Sequence, residues 1–541
     1  MEPISLRTPL ALLLISLGVI AAVWWWLATP IMLARAPIDP NAKLQCVSYT
    51  PFRGAQTPLD PTTQIPVEQI EQDLTDLAKV TDCVRTYSIE NGLDQVPAVA
   101  AKVGIKVMQG IWLGSNRFKN LQQIAIAVRL AKEYPTVISA LIVGNEVLLR
   151  GEMTAADLAA NIRSVKAQSQ VPVTYADVWE FWLKNRELYD AVDFVTIHIL
   201  PYWEDIPVKA KFAAGHVDEI RKRMAVAFPG KEILIGETGW PSAGRMREGA
   251  LPSRANQARI VSEILDMAKR EGFRVNLIEA YDQPWKRKLE GTVGGYWGLF
   301  DSMQRQVKYP PGVAISNYPS WKLQMGCGMA LSIFTFAAAW LTLRRRPWTP
   351  RPAAWLGVAI AATTGGALLG IAADKMYYES YGVGGWLLWG TLLAAAIASP
   401  LLSAHALIAG RSLPTFLELL GPRDYRGKGI LIALLAIVLG LTTVIGAQSA
   451  LGFVFDPRYQ DFPYASLTMA VVPFALLTML NRPKEGTRPI AESVFAAVLA
   501  LAALYLLFNE GTINWQSDWT AAMYFLLAAT LWRARAAQIP E

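Results

Sequence analysis

Two glutamates stand where chemistry is easiest to build. Glu146 closes the run Val143-Gly144-Asn145-Glu146-Val147, and Glu237 closes Ile233-Leu234-Ile235-Gly236-Glu237, ahead of Thr238-Gly239-Trp240-Pro241-Ser242. Each run reads as a buried strand that delivers one carboxylate at its C-terminal end. Parallel strands of a closed barrel all open that end onto one face, where the loops build a site. Two carboxylates, 91 residues apart in the chain and meeting on that face, suit the cleavage of a glycosidic bond. One gives a proton to the leaving oxygen, and the other attacks or stabilises the sugar cation. Either glutamate alone would read as an exposed strand end. The pair, with Asn145 before one and Gly-Trp-Pro after the other, favours chemistry.

The elements that must position them recur along the first half of the chain. Eight strand-like runs fall at 44–49, 83–88, 105–112, 139–146, 172–177, 193–199, 232–237 and 275–281. Between them lie helical patterns, such as Val67–Val80, where Ile70, Leu74, Leu77 and Ala78 share one face. Residues 117–134, 154–168, 209–226 and 255–271 read alike. Strand–helix alternation on this scale predicts an α/β fold, a (β/α)8 barrel, with a doubly wound open sheet as the runner-up.

Other strand-end residues join the expected site. Asn145 could hydrogen-bond a sugar 2-hydroxyl. Arg85 and Tyr87 end strand two, Asp177 ends strand five, His198 ends strand six, and Tyr202 follows it. Trp240 follows Glu237, and Trp285 follows strand eight. All are expected to bind substrate, with Asp282 as a supporting carboxylate. Of the aromatic run Tyr175, Trp179, Phe181 and Trp182, Phe181 and Trp182 read as packing and Trp179 as a platform for an incoming sugar.

The motifs around these residues resemble glycoside hydrolase family 17, the β-1,3-glucanases and β-1,3-glucan glucanosyltransferases. Ile-Gly-Glu237-Thr-Gly-Trp-Pro-Ser is similar to that family's signature, and Gly-Asn145-Glu146 to its acid/base element. Val84-Arg85-Thr86-Tyr87-Ser88, Tyr175-Ala176-Asp177-Val178-Trp179, His198-Ile199-Leu200-Pro201-Tyr202 and Glu279-Ala280-Tyr281-Asp282-Gln283-Pro284-Trp285-Lys286 extend the match over roughly 44–307. These versions look closer to bacterial membrane-bound members than to plant enzymes. The resemblance implies a retaining mechanism without metal or cofactor, and a periplasmic role in cyclic β-glucan synthesis.

The remaining half reads differently. Hydrophobic residues make up 53% of the chain and charged ones 18%, and beyond residue 307 long runs are almost free of charge. Candidate spans fall at 9–28, 325–343, 353–373, 383–408, 429–448, 464–481, 490–508 and 519–532, each near or somewhat short of the ~20 residues that cross a hydrocarbon core. The expected domains are an anchor over 1–29, an exported barrel over 30–322 and about seven membrane helices over 323–541. A cleaved signal peptide, with Ala34-Arg35-Ala36 as its site, is the alternative for the first segment. With the N-terminus inside, cytoplasmic segments hold 14 basic residues: Arg7, Arg344, Arg345, Arg346, Arg351, Arg411, Arg423, Arg426, Lys428, Arg482, Lys484, Arg488, Arg533 and Arg535. The short outer loops hold 2, Lys375 and Arg458. This asymmetry places the barrel outside the cytoplasm, which the resemblance to bacterial members makes the periplasmic side of an inner membrane. It also accounts for the net charge of +7 without a nucleic-acid partner.

Of three cysteines, Cys327 lies in a membrane run. Cys46 and Cys83 fall on neighbouring strands in the exported part, where a disulfide is permitted; two buried free thiols are the competing possibility. No spacing suggests a metal site. The expected partners are β-1,3-glucan and the lipid bilayer, with a membrane glucan synthase as a further candidate. A synthase or exporter itself would need a cytoplasmic sugar-nucleotide domain, and the cytoplasmic loops are too short for one. His405, Glu418 and Glu492 read as interfacial. A non-catalytic glucan sensor would have no use for both glutamates.

Overall fold

Period-two alternation explains the first half of the chain. In the computed structural model, which describes residues 7–39, 41–345, 350–421, 429–481 and 486–535, eight parallel strands close into a barrel in chain order. They are β1 (Cys46–Ser48), β2 (Cys83–Arg85), β3 (Lys106–Ile111), β4 (Ile138–Asn145), β5 (Val173–Val178), β6 (Val195–His198), β7 (Ile233–Thr238) and β8 (Val275–Leu277). Successive side chains on a strand point to opposite faces. Val47, Val84, Val107, Leu141, Val173, Val195 and Ile235 therefore pack outward beneath the surrounding helices. Cys46, Cys83, Met108, Ala140, Ile142, Ala176, Phe194 and Leu234 form a separate buried cluster, which fills the barrel's lower interior. Two residues further along the same inward faces stand Ser48, Arg85 and Gly236, so the interior changes from apolar to polar toward the C-terminal rim.

Helices follow every strand. Val67–Leu77, Arg117–Glu133, Ala155–Lys166, Ala210–Ala227 and Arg254–Glu271 match the sequence periodicity, while Val96–Val103, Trp179–Lys184 and Arg287–Gly294 complete the set of eight. Asn116, Thr154 and Ser253 cap three of them, each accepting a backbone N–H with its side chain, which satisfies a donor the first turn leaves unpaired. Cys46 and Cys83, directly at the feet of β1 and β2, are joined by a disulfide, with their Cα atoms 4.4 Å apart.

The chain divides into two units, residues 30–316 and residues 1–29 with 317–541. In the second, six helices among the described residues are long and apolar enough to cross a membrane: Arg7–Leu27, Trp321–Arg344, Pro352–Glu379, Gly382–Ile408, Ile430–Phe455 and Ile490–Glu510. Eight spans are expected from the sequence. The other two expected spans also form as helices, Tyr464–Leu480 with 17 residues and Trp515–Trp532 with 18, roughly 26 Å of rise. The second also carries Gln516, Ser517 and Asp518 in its first turn. Small residues let the helices approach, since a Cβ on Gly328 would lie 2.1 Å from the Gly366 carbonyl oxygen. Glu492, in the first turn of Ile490–Glu510, is 1% exposed, and its Oε1 accepts the Phe416 N–H at 2.6 Å. Six of the basic residues behind the orientation, Arg346, Arg423, Arg426, Lys428, Arg482 and Lys484, lie outside the described residues.

Candidate active site

The site is assembled around Arg85. Its position at the inward end of β2 takes the guanidinium across the barrel, where Nη1 donates to the Gly236 carbonyl at 2.7 Å and to Glu237 Oε1 at 3.2 Å. Nη2 donates to Asn145 Oδ1 at 2.5 Å. Gly236 makes this reach possible: a Cβ there would meet Thr196 Cγ2 at 2.4 Å and Arg85 Nη1 at 3.4 Å. One fork thus orients the residue before one glutamate and the carboxylate of the other, which is the use to which a planar, permanently charged group is best suited.

Glu146 is aimed by its backbone. Gly144 has φ +91° and Glu146 itself φ +52°, a left-handed conformation that costs a non-glycine residue about 1–2 kcal/mol. Its N–H, bonded to the Ala176 carbonyl at 2.8 Å, helps to hold that turn. The carboxylate meets His198, whose Nδ1 lies 2.8 Å from Glu146 Oε1. Burial pushes the Glu146 carboxyl upward, but the hydrogen bond to His198, with Arg85 and Arg150, takes it below the ordinary glutamate value.

One atom from each of Glu146, His198 and Glu237 falls within 4.8 Å of the others. That trio has the residue types of a metal site, but its electrostatics do not suit a dication. Arg85 Nη1 already stands 3.2 Å from both His198 Nε2 and Glu237 Oε1, and its charge cannot be lost.

Around the carboxylates the expected residues separate into two groups. Tyr87, Trp179 and Trp285 are partly exposed, and Asn145 keeps 8% exposure. Tyr87 donates to Ser48 Oγ at 3.0 Å, and Trp285 Nε1 donates to Gln283 Oε1 at 2.8 Å. One face of the Trp179 ring is taken by the Arg223 guanidinium, 4.9 Å from its centre. Arg85, Asp177, His198, Tyr202 and Trp240, expected to bind substrate, are at most 1% exposed and engage protein partners instead. Asp177 accepts from the Tyr175 hydroxyl and from the Val178 N–H, and burial pushes its carboxyl up to about 6. Tyr202 donates to the Arg245 carbonyl, Trp240 to the Leu251 carbonyl, and the two rings meet edge-on at 5.9 Å. They belong to the packing under the rim. Asp282 pairs with Lys308 at 2.5 Å.

Three groups escape the sequence argument. Trp112, directly after β3, is 37% exposed and stacks under Arg150 at 4.1 Å; Arg150 also donates to the Asn145 carbonyl. Its place after a strand end was the available signal. Lys286 binds buried Glu279 through both carboxylate oxygens at 2.9 Å. Glu290, pushed up to about 6 by burial, feels Lys286 and both site glutamates.

Known proteins resemble the barrel part of the chain. Residues 46–298 match the BtgE/BtgC glycoside hydrolase domain. A glucan 1,3-beta-glucosidase of Candida albicans is 27% identical over 266 residues, covering 45% of this chain and 86% of its own. One from Saccharomyces cerevisiae is 26% identical over 262 residues, covering 44% and 83%. The crystal structure of a family 17 β-1,3-glucanosyltransferase from Rhizomucor miehei aligns at 24% identity and a TM-score of 0.44, over 49% of this chain and 95% of its own.

Proposed function

We propose that this chain, which carries a glycoside hydrolase domain over residues 46–298, cleaves β-1,3-glucan with retention of configuration and transfers the cleaved unit to a second glucan. The observation that carries the proposal is the closeness of the Glu146 and Glu237 oxygens, both within the 4.8 Å cluster. Retaining glycosidases hold their carboxyl groups about 5–5.5 Å apart, whereas inverting ones leave about 6.5–9.5 Å for a water. Glu237, oriented by Arg85, attacks the anomeric carbon while Glu146 protonates the departing oxygen. The covalent glycosyl-enzyme then reacts with a hydroxyl whose proton Glu146 removes. Asn145 Oδ1 is committed to Arg85, which leaves its amide to donate to a sugar hydroxyl. No step calls for a cofactor.

Whether the acceptor is a sugar or water depends on how well the rim orients a sugar. Hydrolysis is the second reading, and two observations favour it. Tyr202 is fully buried, which removes an aromatic expected from the sequence to bind sugar. The curated relatives in yeasts are named as glucosidases. We place the barrel on the outer, periplasmic side of a bacterial membrane, where a glucan made at that membrane would emerge and a synthase would be its neighbour. The basic-residue asymmetry and the six long apolar helices support that placement.

Mass and linkage analysis after incubation with laminari-oligosaccharides tests the proposal. Transfer yields products longer than the donor, or carrying a new β-1,3 or β-1,6 linkage. Only shorter oligosaccharides at high acceptor concentration would establish the hydrolase, and no conversion would reject both.

A further inference from the structure

We propose that His198 is a positioning residue that confines the working proton of Glu146 to a single oxygen, Oε2, and that Arg85 holds it in the tautomer this requires. The inference rests on the retaining reading above and assigns a division of labour within that site.

His198 is wholly buried, and its two ring nitrogens face opposite demands. Nε2 lies 3.2 Å from Arg85 Nη1. A guanidinium has donors only, so Nε2 must present its lone pair. The ring proton then sits on Nδ1, 2.8 Å from Glu146 Oε1, and is donated there. Glu237 Oε1 is 3.6 Å from Nε2, too far for a hydrogen bond, and Nε2 has no proton to offer it. The ring therefore serves Glu146 alone, although it lies between both carboxylates.

A carboxyl hydrogen on Oε1 would meet the Nδ1–H head to head. Neutral Glu146 must carry its proton on Oε2, which has no hydrogen-bond partner among the described residues, on a side chain that is 22% exposed. In the first half-reaction that proton passes to the glycosidic oxygen as the anomeric C–O bond breaks and the bond to Glu237 forms. The Nδ1–H stabilises the carboxylate left behind. In the second half, Oε2 takes the acceptor's hydroxyl proton as the new C–O bond forms and Glu237 leaves. One proton is given and one returned, and His198 keeps its own throughout.

The charges around Glu146 are Arg85 and Arg150, which favour its ionised form, and Asp177 and Glu290, which oppose it, with the Glu237 carboxylate in the same cluster. All of these stay in place when His198 is changed. Loss of the Nδ1 donor alone should raise the proton affinity of Glu146, by about one pH unit.

Two variants of the full-length protein separate this role from packing. Asn can put an amide N–H where Nδ1 stands, whereas Gln reaches the Nε2 position and leaves Oε1 unserved. In His198→Asn the alkaline limb of kcat/KM should stay at its wild-type position. In His198→Gln it should move up by about one pH unit, with accumulation of glycosyl-enzyme on activated aryl glucosides. Coincident limbs in the two variants would overturn the proposal. Trapping of wild-type protein with a 2-deoxy-2-fluoro-glycosyl fluoride keeps the two ideas apart. Absence of a label on Glu237 would reject the retaining reading, whereas a labelled Glu237 with coincident limbs would reject only the role of His198.

Discussion

Arg85 Nη1 stands 3.2 Å from Glu237 Oε1, with the two side chains 1% and 6% exposed. The pair closes the polar upper interior of the barrel two residues above the Cys46–Cys83 bridge on the same strand face. A buried charge without its partner is costly, and here the cation also holds Asn145 and the Gly236 carbonyl.

Replacing Arg85 by Met should therefore destabilise the barrel unit by about 3–5 kcal/mol and abolish turnover. Arg85→Lys keeps the charge but loses the fork, so turnover should fall far more than stability. Thermal melts and initial rates on a soluble laminari-oligosaccharide check both. A Lys variant with wild-type turnover would show that charge alone matters.

The disulfide makes a separate prediction. It closes a separation of 37 residues, for which loop entropy gives about 4 kcal/mol at room temperature. Cys83→Ser should lower the melting temperature of the barrel unit and leave the pH profile unchanged, because Cys83 lies in the apolar layer below the site. An unaltered melt would mean that the bridge adds nothing to stability.

The direction of the Glu146 shift fixes a sign for the pH dependence. The first step needs Glu146 protonated, and its free-enzyme value lies below that of an ordinary glutamate. Hence kcat/KM on substrates with poor leaving groups should already decline as pH rises through the acidic range. Glucan that excludes water from the cleft should raise Glu146, so kcat should decline at a higher pH than kcat/KM. Glu146→Gln should remove this limb and lower turnover by orders of magnitude, with activated leaving groups affected least. A kcat/KM limb near neutrality would contradict the assignment.

Orientation can be tested without the enzyme's activity. Reporters active only outside the cytoplasm should work when fused after residue 200, 378, 456 or 512. Activity after residue 347 or 485 would reject the eight-span topology with the barrel outside.

What was legible in the sequence follows from the range of the interactions. Glu146 and Glu237 could be read because each ends an apolar strand, a pattern of a few neighbouring residues. The barrel could be read because that pattern repeats in alternation with helices. Tyr202 and Trp240 were misplaced because a strand-end aromatic looks the same whether it lines a cleft or packs beneath it. Here Tyr202 meets Trp203, Trp240 and Trp297 edge-on, a cluster gathered from distant loops. His198 could be suspected of touching sugar but not of serving Glu146, since its tautomer depends on Arg85, 113 residues away. Hydropathy found the eight long apolar helices among the described residues of the other unit, but not the short Phe416–Leu420, whose five residues carry no long apolar run.

The central claim is that Glu237 forms a covalent bond with the anomeric carbon, and covalent trapping tests it most directly. After incubation with a 2-deoxy-2-fluoro-β-laminaribiosyl fluoride, peptide mass mapping should place one added glycosyl group on Glu237, and Glu237→Gln should take up none. A label on another residue, or a first-formed product of inverted configuration by NMR, would contradict the account.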